Sequence, residues 1–311
     1  MLTMKNLAGL GKAEYLFRPH QIVRRLWREA KGQRQAVKTV RLPWGLEIAV
    51  NTADSLGWSL YTRAIYETPV TEALWRLVQP GDSVVDAGAN IGYMTSVLAV
   101  RVGEAGKIYC FEPHPGLFDD LQRNVSAWKA RKPSCSFLLY QAALGAREGL
   151  ETLRIPDFFS TNRGVSRIEP SRSQGEGQSL QVKVLALDEV IPKNETIRLV
   201  KLDVEGYELA VLNGMEGILR ARRVRHVVLE ELSDFPAATH KFLWKMGYAI
   251  FGIERHFSGI RLIRDAQPGY DPVSGPPPNY LATIEPELAL SRLQSGIWQS
   301  FGPAQVLSKW L

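Results

Sequence analysis

From Ser83 onward the chain alternates short apolar runs with helix-like stretches, and that rhythm constrains the fold more than any other feature. The runs fall at residues 83–87, 107–112, 137–143, 197–202 and 226–229. They are too short for buried helices and too continuously apolar for half-exposed strands, so they read as strands covered on both faces. Between them, residues 93–102 read as a helix, and Leu117, Leu121, Val125 and Trp128 recur at helical spacing after Pro113-His114-Pro115. The same spacing returns at Leu209, Leu212, Met215 and Leu219, and again through Phe242 and Met246. Strand, helix, strand in this order builds a parallel sheet, so the expected class is α/β. A sixth strand is expected at 248–253 and a last one, at the sheet edge, at 280–284. There is no internal repeat.

The rhythm stalls once. Residues 150–184 are polar and rich in Ser, Gly and Arg, with the alternating pieces ETLRI and LQVKVLAL at either end. They read as an inserted hairpin with a mobile tip near 171–178, not as a second domain. Ahead of the alternation, residues 40–50 read as two short strands around Pro43-Trp44-Gly45, and 67–77 as a helix ending in the turn Gln79-Pro80-Gly81-Asp82. The expected division is a basic arm and hairpin over 1–65, a body over 66–285, and a helical tail over 286–311 with Leu290, Leu293, Ile297 and Trp298.

Charge is unevenly placed. Residues 1–41 hold ten Lys or Arg against two Glu, whereas the remainder holds 28 Lys or Arg against 30 Asp or Glu. The net charge of +6 therefore belongs to the arm, and a nucleic-acid partner is not expected. In the arm, Ile22, Val23, Leu26 and Trp27 form one helical stripe with Arg24, Arg25, Arg28 and Lys31 elsewhere. Such a helix either rests on an anionic membrane surface or packs its stripe on the body, as a lid or a homodimer contact. No apolar run reaches the roughly 18–20 residues of a membrane span, and no signal-peptide core is visible at the N-terminus. The two cysteines, Cys110 and Cys135, are too few for a disulfide framework and are expected to be buried thiols of a cytoplasmic protein.

Three stretches carry chemistry. The first strand stops at Asp86 and turns through Gly88-Ala89-Asn90-Ile91-Gly92 into a helix. Bare backbone N–H groups and a positive helix end are thereby brought to a ligand. Glycines at 88 and 92 do not match the G-x-G-x-x-G of a pyrophosphate loop, and the preceding acid suits a zwitterionic, cationic ligand. S-adenosylmethionine (SAM) is that kind of ligand. The second strand ends in Glu112, 26 residues past Asp86 and followed by Pro113, where a carboxylate accepts two ribose hydroxyls. In the third, Lys201-Leu202-Asp203-Val204-Glu205-Gly206-Tyr207-Glu208 places carboxylates at the carboxyl end of the fourth strand, where open α/β sheets bind ligands. Asp203 is the first candidate to accept or orient the proton of an acceptor hydroxyl, followed by Glu205 and Glu230. Glu208 reads as a charge complementing the helix start, and His226 as structural because it opens its strand at the wrong end. His240 and His256 stay unplaced, with His256 following a strand end that could approach the pocket. A magnesium ion gathered by Asp203, Glu230 and Glu231 is the less favoured alternative, since no ligand spacing is recognisable and no metal is expected.

VVDAGANIGYMT, FEPHP, QAALG, KLDVEGYELAVLNGM and HVVLEE together resemble the FkbM-type SAM-dependent methyltransferase family, over about residues 66–231 and more loosely at 279–284. The resemblance implies a class I, Rossmann-like methyltransferase fold, a seven-stranded, mostly parallel sheet with helices on both faces. It implies O-methylation of a hydroxyl on a sugar, polyketide or other secondary metabolite. Some relatives methylate nitrogen, so an amide side chain of a peptide is the alternative acceptor, and a catalytically silent SAM-binding module a weaker one. By match to the family's pattern, Asp86, Gly88, Asn90, Gly92, Glu112 and Pro113 would line the SAM site. Ala143 and Leu144 would sit beside adenine, and Asp203 near the sulfonium or the acceptor. The arm and the tail match nothing in the family.

Overall fold

The computed structural model describes residues 36–131, 135–155, 167–169, 178–265, 279–294 and 297–300. The sequence-predicted arm helix, most of the hairpin tip at 171–178, the loop at 267–278 and the tail beyond 300 lie outside these residues. The chain begins with a hairpin of β1 (Val37–Arg41) and β2 (Glu47–Asn51). Two helices follow, α1 (Ser55–Arg63) and α2 (Thr68–Leu77). Then β3 (Ser83–Ala87), α3 (Tyr93–Val102), β4 (Lys107–Phe111), α4 (Pro115–Arg131) and β5 (Ser136–Tyr140) realise the expected alternation.

The run at 137–143 does not continue as one strand. After β5, Ala143–Leu144 forms β6, which leaves the main sheet and pairs with the insert. The insert is a four-stranded sheet of β6, β7 (Gly149–Ile155), β8 (Arg167–Glu169) and β9 (Gln178–Leu185), in the order β6-β9-β7-β8. Its long antiparallel pair, β7 with β9, is the expected hairpin.

The alternation resumes through α5 (Leu187–Val190), β10 (Ile197–Leu202), α6 (Glu208–Asn213), α7 (Glu216–Arg220), β11 (Val224–Glu230) and α8 (Ala238–Lys245). The single helix expected after residue 207 is thus two short ones, broken at Gly214. There the backbone passes so close to Gly145 that a Cβ would stand 1.9 Å from the Gly145 carbonyl. The chain ends its described body with β12 (Ala249–Arg255), β13 (Ile260–Arg264), β14 (Asn279–Thr283) and α9 (Pro286–Leu293).

The main sheet runs β13-β12-β14-β11-β10-β3-β4-β5. Seven strands were expected and eight are present, the additional one being β13, which pairs antiparallel to the outside of β12. The strand at 280–284 was expected at the edge. It is interior instead, running antiparallel between β11 and β12. Tyr280, Leu281 and Ala282 are buried there because both ladders and both faces cover them. Successive residues of β3 and β10 point to opposite cores, Val84 and Leu199 to one, Val85 and Val200 to the other. The hairpin β1-β2 belongs to the first core and is fastened to α4, where Trp128 Nε1 donates to the Glu47 carbonyl at 2.6 Å and Asn124 Oδ1 accepts from Ala49 N–H at 2.8 Å. Among the described residues no helix is long and apolar enough to cross a membrane.

One buried ion pair fastens the end of the described chain to α2. Arg76 Nε donates to Glu72 Oε1 at 2.5 Å, both side chains being almost fully buried. Glu72 also accepts from the Gln299 and Ser300 backbone N–H groups and from the Ser300 hydroxyl. Arg76 donates to the carbonyls of Arg292 and Ile297. Breaking such a pair from one side strands the other charge. Glu72→Ala is therefore expected to cost about 3–5 kcal/mol in a denaturant-unfolding measurement. A loss below about 1 kcal/mol would show that the knot is incidental.

Candidate active site

The parallel pairing of β10 with β3 sets Lys201 directly beside Asp86. Lys201 is buried, and its Nζ lies 3.0 Å from Asp203 Oδ2, 3.6 Å from Asp86 Oδ1 and 3.2 Å from the Gly88 carbonyl. Burial works against its charge, but Asp203, Asp86 and Glu67 together hold its pKa above the usual lysine value. One ammonium thus ties the end of β3, the glycine turn and the end of β10. Gly88 has φ +74, and a Cβ there would stand 1.9 Å from the Asp203 carbonyl. The turn accepts glycine alone because the two strand ends touch through their backbones.

The next wall comes from the end of β4. Glu112 is buried, and its carboxylate accepts from Asn90 N–H and His114 N–H, each at 2.9 Å. Burial pushes it up to about 7, although both backbone donors oppose the shift. Two N–H groups leave lone pairs on both oxygens for further donors. Asn90 holds φ 52, and its Oδ1 accepts from Ile91 N–H at 2.8 Å, which fixes the loop in the left-handed region.

A cleft of about 330 Å³ lies outside the carboxyl ends of β3, β4, β10 and β11. Gly88, Asn90, Glu112, Pro113, Ala143, Leu144, Asp203, Glu205 and Glu230 all line it. Two residues expected there do not. The Asp86 carboxylate is fully buried beneath the loop, accepting from Thr95 Oγ1 at 2.6 Å and facing Lys201. Gly92 starts α3, turned toward Leu121 and Trp128, which a Cβ would meet at 2.8 and 3.2 Å. Both shape the loop from behind.

The Asp203–Tyr207 turn is held by Glu208, whose Oε1 accepts from Val204 N–H and Gly206 N–H at 3.3 and 3.2 Å. Glu208 therefore fastens the turn as well as charging the helix start. Glu205 at φ 53 is carried into the cleft by that turn. Glu230, the last residue of β11, is pushed up to about 9 by burial, then by Asp203, Glu67, Glu205 and Glu208. His226 is buried at the far end of β11, its Nδ1 2.9 Å from Thr283 Oγ1, and burial lowers it to about 3, so it stays neutral and structural. His240 is also buried, accepting from Ala237 N–H, and exposed His256 is absent from the cleft lining.

Lys201, Tyr66 and Glu67 are among the lining residues that the sequence does not single out. Lys201 had a visible signal, a lysine inside an apolar strand. Tyr66 and Glu67 had none, since only the packing of α2 brings them over the strand ends. Tyr66 N–H donates to the Tyr93 hydroxyl at 3.0 Å, and its own hydroxyl donates to Glu67. Glu67 precedes α2 with φ 38 and ψ 60, a left-handed conformation that costs about 1–3 kcal/mol for a residue with a side chain. It is pushed up to about 7 by burial and then by Asp203, with Lys201 opposing. Among the described residues no group of three or more His, Cys, Asp or Glu is arranged to hold a metal ion.

The cleft holds five carboxylates against one lysine. That surplus, with open lone pairs on Glu112, fits SAM, which brings a sulfonium, an ammonium and two ribose hydroxyls. The chain is similar to several known methyltransferases. Hexuronic acid methyltransferase AglP of Haloferax volcanii is 28% identical over 173 residues, 53% of this chain and 62% of that protein. Methyltransferase 1 of Beauveria bassiana is 29% identical over 154 residues, 44% of this chain and 60% of its own length. The chain thus spans about three fifths of each of these two relatives. The 31-O-demethyl-FK506 methyltransferase FkbM of Streptomyces tacrolimicus is 27% identical over 220 residues, 62% of this chain and 81% of that protein. The family model of the methyltransferase FkbM domain matches residues 86–250, just over half of the chain, and the chain belongs to this family of SAM-dependent methyltransferases.

Proposed function

We propose that the chain transfers the SAM methyl to a hydroxyl of a sugar or related metabolite. The observation carrying this reading is the order of groups along the cleft: Ala143 and Leu144, then Glu112, Gly88, Asp203 and Glu230. It offers an apolar seat for adenine, a carboxylate for ribose and acids for a hydroxyl acceptor, in the order a bound SAM and its acceptor require. The named acceptors of two relatives, a hexuronic acid and 31-O-demethyl-FK506, are oxygen-bearing molecules, which supports oxygen over nitrogen.

SAM supplies a methyl already activated by its sulfonium. The work left to the protein is alignment, exclusion of water and handling of one proton. Asp203 stands at the strand end with its Oδ2 held by Lys201, so its orientation is fixed before the acceptor arrives. It takes or directs the hydroxyl proton. Burial and the neighbouring acids push Glu230 up, which favours its protonated form in the free protein. It is then a hydrogen-bond donor to the acceptor and not the base. Glu205 lines the same end and orients further hydroxyls.

Glu112→Ala is expected to weaken SAM about tenfold or more in calorimetry, through loss of the ribose acceptor; unchanged binding overturns the ribose assignment. Asp203→Asn is expected to lower turnover of tritiated methyl far more than SAM affinity, and equal turnover makes Asp203 structural. Because Glu67 and Glu112 gain protons as pH falls through about 7, binding of the cationic donor should weaken several-fold from pH 8 to pH 6. A flat calorimetric profile would show that neither carboxylate meets the ligand.

A further inference from the structure

Adenine beside Ala143 and Leu144 and ribose on Glu112 leave the methionine tail one direction to run. It crosses the end of β3 toward the seam with β10, where Gly88 and Asp203 meet. The side chain brought over that seam from outside the sheet is Glu67. It lines the cleft with Tyr66 and Asp203, and its electrostatic neighbours are Asp203, Lys201 and Glu205.

The tail carries an α-ammonium, and the seam has two carboxylates to offer it. Asp203 is already engaged, with Lys201 Nζ 3.0 Å from its Oδ2. Glu67 is held by a neutral partner, the Tyr66 hydroxyl, and forms no ion pair among the described residues. Tyr66 is itself locked, its backbone N–H on the Tyr93 hydroxyl and its carbonyl accepting from the hydroxyls of Tyr93 and Thr71. Glu67 thus enters the cleft next to a fixed stretch of backbone, in a place where a cation would offset the neighbouring acids.

We propose that the Glu67 carboxylate accepts the α-ammonium of the SAM methionine tail. This rests on the reading of the cleft as a SAM site. The same contact discriminates the donor from adenosine-containing molecules that lack an amino acid.

The test needs no acceptor substrate. S-adenosylhomocysteine and its analogue lacking the amino group are titrated into the full chain by calorimetry. Wild type should bind S-adenosylhomocysteine about ten- to hundredfold more tightly than the analogue, the range expected for a hydrogen bond to a charged group. In Glu67→Gln that preference should collapse to within about threefold, with affinity for the analogue unchanged. A variant that keeps the full preference overturns the proposal, and so does an equal loss for both ligands, which would make Glu67 part of the wall only. Glu67→Ala, read by the same ratio, covers a failure of the first variant to fold. A wild type without preference overturns the proposal before any variant is made. If wild type binds neither ligand, the SAM reading itself fails.

Discussion

The site depends on a lysine placed where lysines are costly. Lys201 sits in the penultimate position of a strand covered on both faces, and desolvation alone would strip its charge. Asp86 across the ladder and Asp203 two residues on keep it charged, and in return it holds both. The three groups form a tie between two parallel strand ends that have no covalent link near the cleft. Beside the tie, Asp203 N–H donates to the Ala87 carbonyl at 3.2 Å, and Gly88 comes close to the Asp203 carbonyl. Glycine is required because the backbone ladder of the two strands runs on to their ends, where the buried charge sits beside it.

That arrangement leaves an electrostatic debt on the cleft side. Lys201 answers Asp86 and Asp203, but Glu67, Glu205 and Glu230 face the same space, and Glu112 stands a strand away. The upward shifts of Glu67, Glu112 and Glu230 have one shared origin, burial, reinforced for Glu67 and Glu230 by like charge. In the free protein the cleft is a poor place for another anion. A zwitterion with an added sulfonium would relieve it, so the proposed donor and the electrostatics of the cleft are complementary.

Much of this was legible in the residues. The strand periodicity implied the parallel body, and the acids at strand ends fall on the edge of the cleft, because in an open α/β sheet that edge is fixed by topology. Asp86 shows the limit of such reading. An acid two residues before a glycine turn looks the same in sequence whether it faces the ligand or lies behind the loop, and only the Lys201 register and the Thr95 hydroxyl decide. Tyr280 shows another. A strand so far along the chain suggests an edge, yet it inserts between β11 and β12, a pairing that no local pattern specifies. Glu67 could not be found at all, since nothing local to it signals a site.

The knot on α2 ties the cleft to a distant part of the chain. Glu67 leads into α2, and the same helix carries Glu72 and Arg76, whose partners are Gln299, Ser300, Arg292 and Ile297. Until residues 292–300 have been made, the Glu72–Arg76 pair lacks these partners. Synthesis proceeds from the N-terminus, and the strands of the sheet emerge in between. The wall of the cleft, encoded ahead of the sheet, therefore gains its full support only after every strand of that sheet has been made.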